Sequence, residues 1–318
     1  MSHYKSSSKD AWVGRKSNKK LYLHEKIEFS CLEESYPLTN NKTIALMGYS
    51  SDEGVRRNLG RVGAALGPNA IRKQLGKMTN HLNEETQLKD FGNLECIDQN
   101  LEELQQECIH AVESLIGHRT IPILLGGSHD LAYAHYNGIL KHLKSNEKLG
   151  IINFDAHFDL RENTNGNSSG TPFYQIALEQ KAKNQPIKYM ALGIRKDSNT
   201  KELFDFAESQ HIHYLSQKYF NISYLEHVQL RLIQFLEDVD YVYTTIDLDG
   251  FSSAYAPGVS AASPMGFSPD IVLESLKLII ESGKFVGLDV VELNPNYDID
   301  EQTAKLAASL VHYVIHKL

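Results

Sequence analysis

Short apolar runs alternate along the chain with longer segments in which apolar residues recur at helical spacing. A short apolar run bounded by turn residues is typical of a buried strand, and apolar residues three or four positions apart predict an amphipathic helix. Asn100 precedes one such helix, whose apolar positions include Leu101 and Leu104, and its side chain is suited to cap it. The pattern predicts strands at residues 43–49, 89–91, 120–125, 149–154, 187–194, 211–215, 241–248 and 285–291. It predicts helices that start near residue 68, end near residue 143, and span 101–116, 172–180, 199–209, 223–236, 268–280 and 301–316.

This alternation predicts an α/β protein with a mainly parallel, eight-stranded sheet and helices packed outside it. No repeat and no linker interrupts the pattern, so we expect an irregular N-terminal segment, 1–40, followed by a single domain, 41–318. The pattern leaves open whether the sheet closes into a barrel or forms an open three-layer sandwich. Both folds place functional sites at the carboxyl ends of strands.

The composition narrows the class of protein. The 318 residues are 42% apolar and carry 32 basic against 40 acidic side chains, a formal charge of −8. No basic block stands out, which argues against a nucleic-acid partner. The three cysteines lack metal-type spacing, the first twenty residues lack the apolar core of a signal peptide, and no run reaches the length of a membrane span. We therefore expect a cytoplasmic protein that does not act on membranes.

The ends of four predicted strands carry side chains of the kinds that bind metal ions. Asp155 and His157 are two positions apart at a strand end, so they point to the same side. Buried carboxylates are costly unless they are paired or bound to metal, which favours a metal site. The candidates are His129 after strand 120–125, Asp155, His157 and Asp159 after strand 149–154, Asp247 and Asp249 at the end of strand 241–248, and Glu292 after strand 285–291.

Each candidate alone has a structural explanation, such as a helix cap for His129 or a solvated strand end for Glu292. Their joint occurrence at one edge of one sheet favours metal binding. Four aspartates and two histidines are too many for one ion and suit two divalent cations that share carboxylates. Oxygen-rich ligands without thiolate favour Mn²⁺ over Zn²⁺. Two such ions lower the pKa of a shared water and hold it as a nucleophile.

Three sequence blocks resemble the signature blocks of the ureohydrolase family, which contains the arginases and agmatinases. They are GGSHD at 126–130, DAHFD at 155–159 and the Asp-x-Asp of IDLDGFSSAYAPG at 246–258, and LDVVELNP at 288–295 fits a fourth. The resemblance extends from about residue 43 to the C-terminus. It implies an open, arginase-like α/β/α sandwich and two Mn²⁺ ions per subunit, with a hydroxide bridging them.

The resemblance also implies a role for each candidate. Glu292 would meet the cationic group of the substrate. Asp155 and Asp247 would bridge the two ions, His129 and Asp159 would bind one of them, and His157 and Asp249 the other.

Two departures from the arginase pattern resemble the formimidoylglutamase branch of the family. Ser169 stands where arginases carry a histidine, and Ser252-Ser253 stand where many ureohydrolases have an Asp-Pro pair. The blocks DAHFDLR at 155–161, SNT at 198–200 and NLGRVG at 58–63 agree with that branch. It hydrolyses N-formimidoyl-L-glutamate to L-glutamate and formamide in histidine degradation.

The chemistry of that substrate suggests further roles. The formimidoyl group is a planar amidinium with which Glu292 can pair, and the departing glutamate nitrogen needs a proton. Without a histidine at position 169, Asp159 or a metal-bound water is the expected donor. The long loops 162–170 and 250–267 are candidate lids. The candidates for binding the substrate carboxylates are Arg61 with Asn58, then Arg195, then Arg161, with Ser168 and Ser169 as hydrogen-bonding residues.

Three other interpretations remain open at the level of sequence. The chain could be another ureohydrolase that acts on a guanidino compound, as an agmatinase, guanidinobutyrase or arginase does. It could be a catalytically silent metal-binding protein on the same fold, or a barrel enzyme with a single ion. In each enzymatic case we expect a small-molecule substrate, and the resemblance suggests a homo-oligomer.

Overall fold

The computed structural model describes residues 2–17, 19–32 and 42–318. Residues 33–41 lie outside the described part of the chain, and all but the last of them belong to the segment predicted to be irregular, 1–40. The strands are β1 (Tyr4–Lys5), β2 (Glu28–Phe29), β3 (Thr43–Ser50), β4 (Gln87–Glu95), β5 (Thr120–Gly126), β6 (Leu149–Phe154), β7 (Lys188–Ile194), β8 (His213–Ser216), β9 (Tyr241–Asp247) and β10 (Phe285–Val291). The helices are α1 (Leu23–Lys26), α2 (Glu53–Arg57), α3 (Gly67–Leu75), α4 (Leu101–Gly117), α5 (Leu131–Leu140), α6 (Pro172–Ala182), α7 (Lys201–Ser209), α8 (Leu225–Glu237), α9 (Pro269–Glu281) and α10 (Gln302–Lys317).

All these strands belong to one sheet, in the order β1-β4-β3-β5-β10-β9-β6-β7-β8, with β2 also paired to β4. β1 runs antiparallel to β4 and the other pairs are parallel. β1 and β8 stand at opposite edges, so over the described ranges the sheet is open. The predicted open sandwich is confirmed, and the barrel interpretation is wrong.

Each face of the sheet is covered by its own apolar cluster. In β3, Ile44 and Leu46 belong to one cluster, and Ala45 and Met47 belong to the other. Helices α3, α8, α9 and α10 pack on the first face, and α4 to α7 pack on the second. Because both faces are covered, the strands are continuous apolar runs, which is what made them recognisable in the sequence. None of the helices in the described ranges combines the length and the apolar character that crossing a bilayer requires.

The predicted elements are present, and the structure adds a few short ones. All eight predicted strands are found with bounds shifted by a few residues, and the side chain of Asn100 caps α4 by accepting a hydrogen bond from the Glu103 N–H at 3.3 Å. The sheet has ten strands in the described residues because β1 and β2, two residues each, extend the edge beside β4. Elements this short leave no apolar period to detect.

The described part of the N-terminal segment is tied to the sheet by a hydrogen bond from Trp12 to a buried ion pair. Arg72 of α3 and Asp90 of β4 are only 2% and 1% exposed, and the Arg72 Nε and Nη2 groups donate to the two oxygens of Asp90 at 2.9 and 2.8 Å. The Nε1 of Trp12 donates to the same carboxylate at 2.7 Å. The described part of the segment contains only short elements and packs onto the same body as the rest of the chain.

The strand order brings distant parts of the sequence together at the centre of the sheet. β5, β10, β9 and β6 are consecutive neighbours, although β5 is followed along the chain by α5 and then by β6. The later strands β9 and β10 fill the gap between β5 and β6. The carboxyl ends of β5, β6 and β9 carry the six predicted metal ligands, and that of β10 carries Glu292. Crevices at such strand ends are where open α/β sheets bind their ligands.

Candidate metal centre

The six predicted ligand side chains lie together at the carboxyl ends of the central strands. Their ligand atoms form two overlapping sets, and within each set all atoms lie within 4.8 Å of one another. Asp155 belongs to both sets, whereas Asp247 belongs to the first alone. The first set is His129, Asp155, Asp159 and Asp247, and the second is Asp155, His157 and Asp249.

In the first set, three carboxylates surround one imidazole nitrogen. The Nδ1 of His129 lies 2.9 Å from Asp159 Oδ2, 3.1 Å from Asp247 Oδ2 and 3.4 Å from Asp155 Oδ2. This nitrogen is buried and makes no hydrogen bond within the described residues. Ligand atoms on adjacent corners of an octahedron around a small dication are about 3 Å apart. The spacing is therefore that of ligands arranged around an ion.

The second set has the same character. The Nδ1 of His157 lies 3.2 Å from Asp249 Oδ1 and 3.4 Å from Asp155 Oδ1. Asp249 Oδ1 is buried and has no hydrogen-bond partner in the described part of the chain. The backbone N–H of His157 donates to Asp155 Oδ1 at 2.7 Å, and that of Asp249 donates to Asp247 Oδ1 at 2.8 Å. Each Asp-x-ligand pair is thus oriented by its own backbone, which explains the two-residue spacing.

The cluster holds more negative charge than its protein surroundings balance. Burial raises the pKa of Asp247 well above its usual range, and Asp249 adds to the rise. Burial opposes charging of the His129 ring, but the carboxylates beside it outweigh burial and raise its pKa. Two dications would relieve this repulsion and leave the histidines neutral. The residues present therefore fit a two-metal centre, and their oxygen-rich chemistry suits Mn²⁺.

Glu292 closes the centre on the side of β10. Its backbone N–H donates to the Gly127 carbonyl at 2.8 Å, and its Oε1 accepts a hydrogen bond from the His129 N–H at 2.8 Å. Burial raises the pKa of Glu292 to about 8, with the charge of Asp249 as the next cause. Glu292 and Asp159 both have left-handed backbones, with φ of 69° and 48°. Such conformations cost about 1–3 kcal/mol in non-glycine residues and occur where the surroundings hold them, often at functional sites.

The glycine pair before His129 serves backbone packing. The N–H of Gly127 donates to the Tyr49 carbonyl at 2.7 Å, at the end of β3. A Cβ at position 127 would lie 1.9 Å from the Ser51 carbonyl oxygen, so only glycine fits there. The close approach of the two chain segments places His129 over the edge of the sheet.

Sequence reasoning missed two side chains that hold the ligands. Thr245 Oγ1 lies 3.0 Å from His129 Nε2, so this nitrogen is engaged and Nδ1 is left for the carboxylate side. Asn153 Nδ2 donates to Asp155 Oδ2 at 3.1 Å. Thr245 and Asn153 each stand two positions before an aspartate ligand on the same face of a strand. This two-residue spacing along a strand is the sequence signal that could have identified both side chains.

A third missed residue, Asn199, holds the loop that carries the ligands after β6. Its Oδ1 accepts from the Phe158 N–H at 2.9 Å, and its Nδ2 donates to the Ala156 carbonyl at 2.9 Å. No local sequence pattern predicts these contacts, because the partners are about forty positions apart. They fix the backbone from which His157 and Asp159 project.

A cavity of about 190 Å³ lies above the predicted ligands. This volume corresponds to about six water molecules at liquid density, which suits a small metabolite. Its base is formed by His157, Asp159, Asp247, Asp249 and Glu292, and its walls include Asn58, Arg161, Ser169, Ser198 and Ser260.

The structure places four of the predicted substrate-binding residues in or beside this cavity, and Arg161 is one of those that line it. Asn58 and Ser169 line it, and Asn58 Nδ2 donates to Ser169 Oγ at 3.1 Å. Ser168 lies beside the wall, where its backbone N–H donates to Thr171 Oγ1 at 2.9 Å. The predicted lids 162–170 and 250–267 contribute Ser169 and Ser260, respectively, to the lining of the cavity.

The guanidinium groups of Arg61 and Arg195 lie outside the lining and are engaged elsewhere. Arg61 donates through Nε to the Ser260 carbonyl at 2.9 Å and through Nη2 to the Val259 carbonyl at 2.6 Å. It also stacks over the ring of Tyr297, with its Cζ 3.8 Å from the centroid. Arg195 donates through Nη2 to Asp197 at 2.7 Å.

Comparison with known proteins shows similarity to one family along most of the chain. The family model described as the arginase family matches residues 42–316. A formimidoylglutamase of Clostridium tetani is 38% identical over 325 aligned residues, which cover 98% of this chain and 96% of that protein.

Two solved structures share the fold. The formimidoylglutamase from Bacillus subtilis superposes with a TM-score of 0.82 at 22% identity, covering 96% of this chain and 94% of that one. A Trypanosoma cruzi formiminoglutamase solved with Mn²⁺ has a TM-score of 0.76 at 22% identity, covering 90% of this chain and 96% of that one. The family match, the near full-length relative and the shared architecture agree, and the chain belongs to the arginase family.

Proposed function

We propose that this protein is a binuclear manganese hydrolase that cleaves the C–N bond of N-formimidoyl-L-glutamate, giving L-glutamate and formamide as a step of histidine degradation. The observation that carries the proposal is the convergence of six ligand-type side chains in two overlapping sets beneath a small cavity. The extended similarity to formimidoylglutamase supports this substrate over a guanidine.

The aspartates and histidines of the two sets would hold two Mn²⁺ ions. Ions bound there would lower the pKa of a shared water and stabilise the negative charge that develops in the transition state. The two-residue spacing and the Thr245 and Asn153 contacts orient the ligands before any ion enters. Such preorganisation favours binding because little reorganisation is needed.

Glu292 would orient the substrate. One of its oxygens already accepts the His129 N–H, which leaves the other for the planar N–H groups of the amidinium. The raised pKa of about 8 reflects a buried carboxylate in acidic surroundings, and a cationic partner would stabilise its ionised form. Pairing at this position aims the amidine carbon at the centre.

The leaving group requires a proton. When the C–N bond breaks, its electron pair goes to the glutamate nitrogen, which must be protonated to depart as an amine. Asp159 lines the cavity and is the proposed donor. Asp159→Asn should weaken both Mn²⁺ binding and turnover, and unchanged turnover at full metal occupancy would remove Asp159 from this role.

The decisive experiment compares substrates with and without added Mn²⁺. Purified protein is incubated with N-formimidoyl-L-glutamate, L-arginine, agmatine or 4-guanidinobutyrate, and glutamate, formamide and urea are measured. We expect Mn²⁺-dependent release of equal amounts of glutamate and formamide. Urea from a guanidino compound would instead identify another ureohydrolase, and bound metal without any product would identify a silent metal-binding protein.

The variant Glu292→Gln separates an effect on the hydrolysis reaction from an effect on metal binding. The amide keeps the size of the side chain but removes the charge that pairs with the amidinium. We expect kcat/KM to fall by about 100-fold or more while Mn²⁺ content stays at two ions per chain. Full activity in this variant would remove Glu292 from the site.

The setting of the reaction is also part of the proposal. Cys31, Cys96 and Cys108 are free thiols, which is consistent with action in the reducing cytoplasm. We expect residues 41–318 to form the catalytic domain and the subunits to form a homo-oligomer, which light scattering would measure. Neither nucleic acid nor a membrane is needed for the proposed reaction.

A further inference from the structure

We propose that Arg161 recognises a carboxylate of the substrate and thereby makes the cavity specific for amidines that carry an acidic tail. This inference rests on the proposed function, because it names how the same cavity distinguishes N-formimidoyl-glutamate from other amidines. The inference depends on three properties of the Arg161 side chain: its positive charge, its unused N–H donors and the contacts that hold it in place.

The charges that line the cavity are arranged unevenly. The base is acidic, with Asp159, Asp247, Asp249 and Glu292, and suits the amidinium end of a substrate. Among the described residues that line the cavity, Arg161 is the one lysine or arginine. A substrate that is positive at one end and negative at the other would therefore meet opposite charges at both ends.

The guanidinium of Arg161 has N–H donors that are not used in hydrogen bonds to described residues. It is exposed, and its Nη1 donates to Asn58 Oδ1 at 3.1 Å. Its Nε and Nη2 groups make no hydrogen bond to any described residue, whereas Nε and Nη2 of Arg61 both donate to carbonyls. A guanidinium with two parallel donors can bind a carboxylate in a bidentate manner, which is stronger and more directional than a single contact.

The side chain is also held in place before a substrate binds. Its backbone N–H donates to the Gly170 carbonyl at 2.9 Å, which closes the loop beneath it. A Cβ at position 170 would lie 3.1 Å from Arg161 Cδ and 3.2 Å from Asn58 Nδ2, so the two side chains rest directly on the glycine.

The amide of Asn58 connects this arginine to the neighbouring Ser169. It accepts from Arg161 through Oδ1 and donates through Nδ2 to Ser169. Asn58 is thus a positioning residue that holds the guanidinium at the cavity. Because the arrangement exists without ligand, less conformational entropy is lost on binding.

The experiment compares two amidines that differ in their tails. N-Formimidoyl-L-glutamate carries two carboxylates, and N-propylformamidine carries none. We expect Arg161→Gln to lower kcat/KM for the first by about 10- to 100-fold, mainly through KM, and to change it for the second by less than about 3-fold. Arg161→Lys keeps the positive charge but loses the two parallel N–H donors, so its kcat/KM for N-formimidoyl-L-glutamate should lie between those of the wild type and Arg161→Gln.

Two further arginine variants serve as comparison. Arg119 is exposed and directly precedes β5, so it lies at the amino end of that strand, whereas the cavity lies at the carboxyl ends. Arg119→Gln therefore removes the same charge away from the cavity and should leave the hydrolysis of both amidines unchanged. Arg61→Gln tests the competing arginine. Equal losses for both amidines in Arg161→Gln, or loss of discrimination in Arg61→Gln instead, would overturn the inference.

A binding measurement separates this inference from the proposed function. Isothermal titration calorimetry measures the dissociation constant of L-glutamate, the proposed product, on metal-loaded wild-type protein and on Arg161→Gln. At least 10-fold weaker binding by the variant supports the inference, even if the wild type hydrolyses neither amidine and the proposed reaction fails. Equal binding by the two proteins, or no binding by the wild type, contradicts it.

Discussion

The hydroxyl of Thr245 provides a direct test of how the protein prepares His129 for a metal ion. Thr245 Oγ1 and His129 Nε2 are 3.0 Å apart, and both side chains are buried. Valine has the same branched shape as threonine and an equal preference for strands, so Thr245→Val removes the hydroxyl with little change in packing. The variant leaves every predicted ligand in place.

The expected loss follows from that single contact. Without an acceptor, the Nε2–H group of His129 is a buried unpaired donor, which costs about 1–3 kcal/mol. The ring can then turn or exchange its tautomer, which places a proton on Nδ1, where the ion should bind. Loss of such outer contacts lowers metal affinity by about 10- to 100-fold. This range corresponds to about 1.4–2.8 kcal/mol, in line with the lost hydrogen bond.

Titration of metal-free protein with Mn²⁺, followed by calorimetry and by recovered hydrolysis, measures the effect. We expect weaker binding in Thr245→Val and near-normal kcat once Mn²⁺ is saturating. Thr244→Val is a close control, because Thr244 is the neighbouring residue on the other face of β9 and its buried hydroxyl has no partner in the described residues. It should bind Mn²⁺ normally and unfold with unchanged or higher free energy.

Wild-type affinity in Thr245→Val would refute the reasoning, since the hydroxyl would then not orient the ligand. Equal losses of affinity in Thr245→Val and Thr244→Val would refute it as well, because a general disturbance of β9 would explain both. A loss of kcat that saturating Mn²⁺ does not restore would show that the hydroxyl acts in turnover.

Three further predictions concern stability. Removal of metal with a chelator should lower the melting temperature. Mn²⁺ at a hundred times its dissociation constant should restore about 2.7 kcal/mol for each of the two proposed ions, and a calorimetric scan that is indifferent to chelation would contradict the two-ion proposal. Arg72→Met leaves Asp90 as an unpaired buried charge and should lower the free energy of unfolding by about 3–5 kcal/mol in urea, and a loss below about 1 kcal/mol would contradict this role of the ion pair. Burial lowers the pKa of His316, whose Nδ1 donates to the His312 carbonyl at 2.7 Å and whose Nε2 accepts from the His81 N–H at 3.0 Å. As pH falls below about 6.5, the unfolded chain therefore takes up a proton at this histidine before the folded chain does. The free energy of unfolding should drop more between pH 7.5 and 5.5 in the wild type than in His316→Gln. Equal drops would exclude His316 as a cause of the pH dependence.

The clustering of the six predicted ligand side chains could be predicted from sequence because each part of the signal is local. A buried parallel strand is a continuous apolar run, and a polar residue directly after it must lie at the carboxyl edge of the sheet. Asp155 and Asp247 each follow such a run, so convergence followed from the fold class alone. The spacing of two within each block then placed the partner ligands on the same side.

The substrate side was harder to predict because it depends on contacts between distant segments. The sequence favours Arg61 for binding a carboxylate, but its guanidinium is engaged with the carbonyls of Val259 and Ser260, almost two hundred positions away. Nothing near Arg61 in the sequence indicates those partners. The strand order was equally hidden, since no local pattern places β10 between β5 and β9.

That position of β10 has a consequence for when the protein can acquire its ions during synthesis. β10 contributes none of the six predicted ligands, yet it pairs with β5 on one side and with β9 on the other. A nascent chain that has emerged only as far as residue 249 contains every ligand but lacks the strand that sets the distance between His129 and Asp247. We therefore expect manganese loading to follow translation of residues 285–291, and a chain truncated before them to remain free of metal.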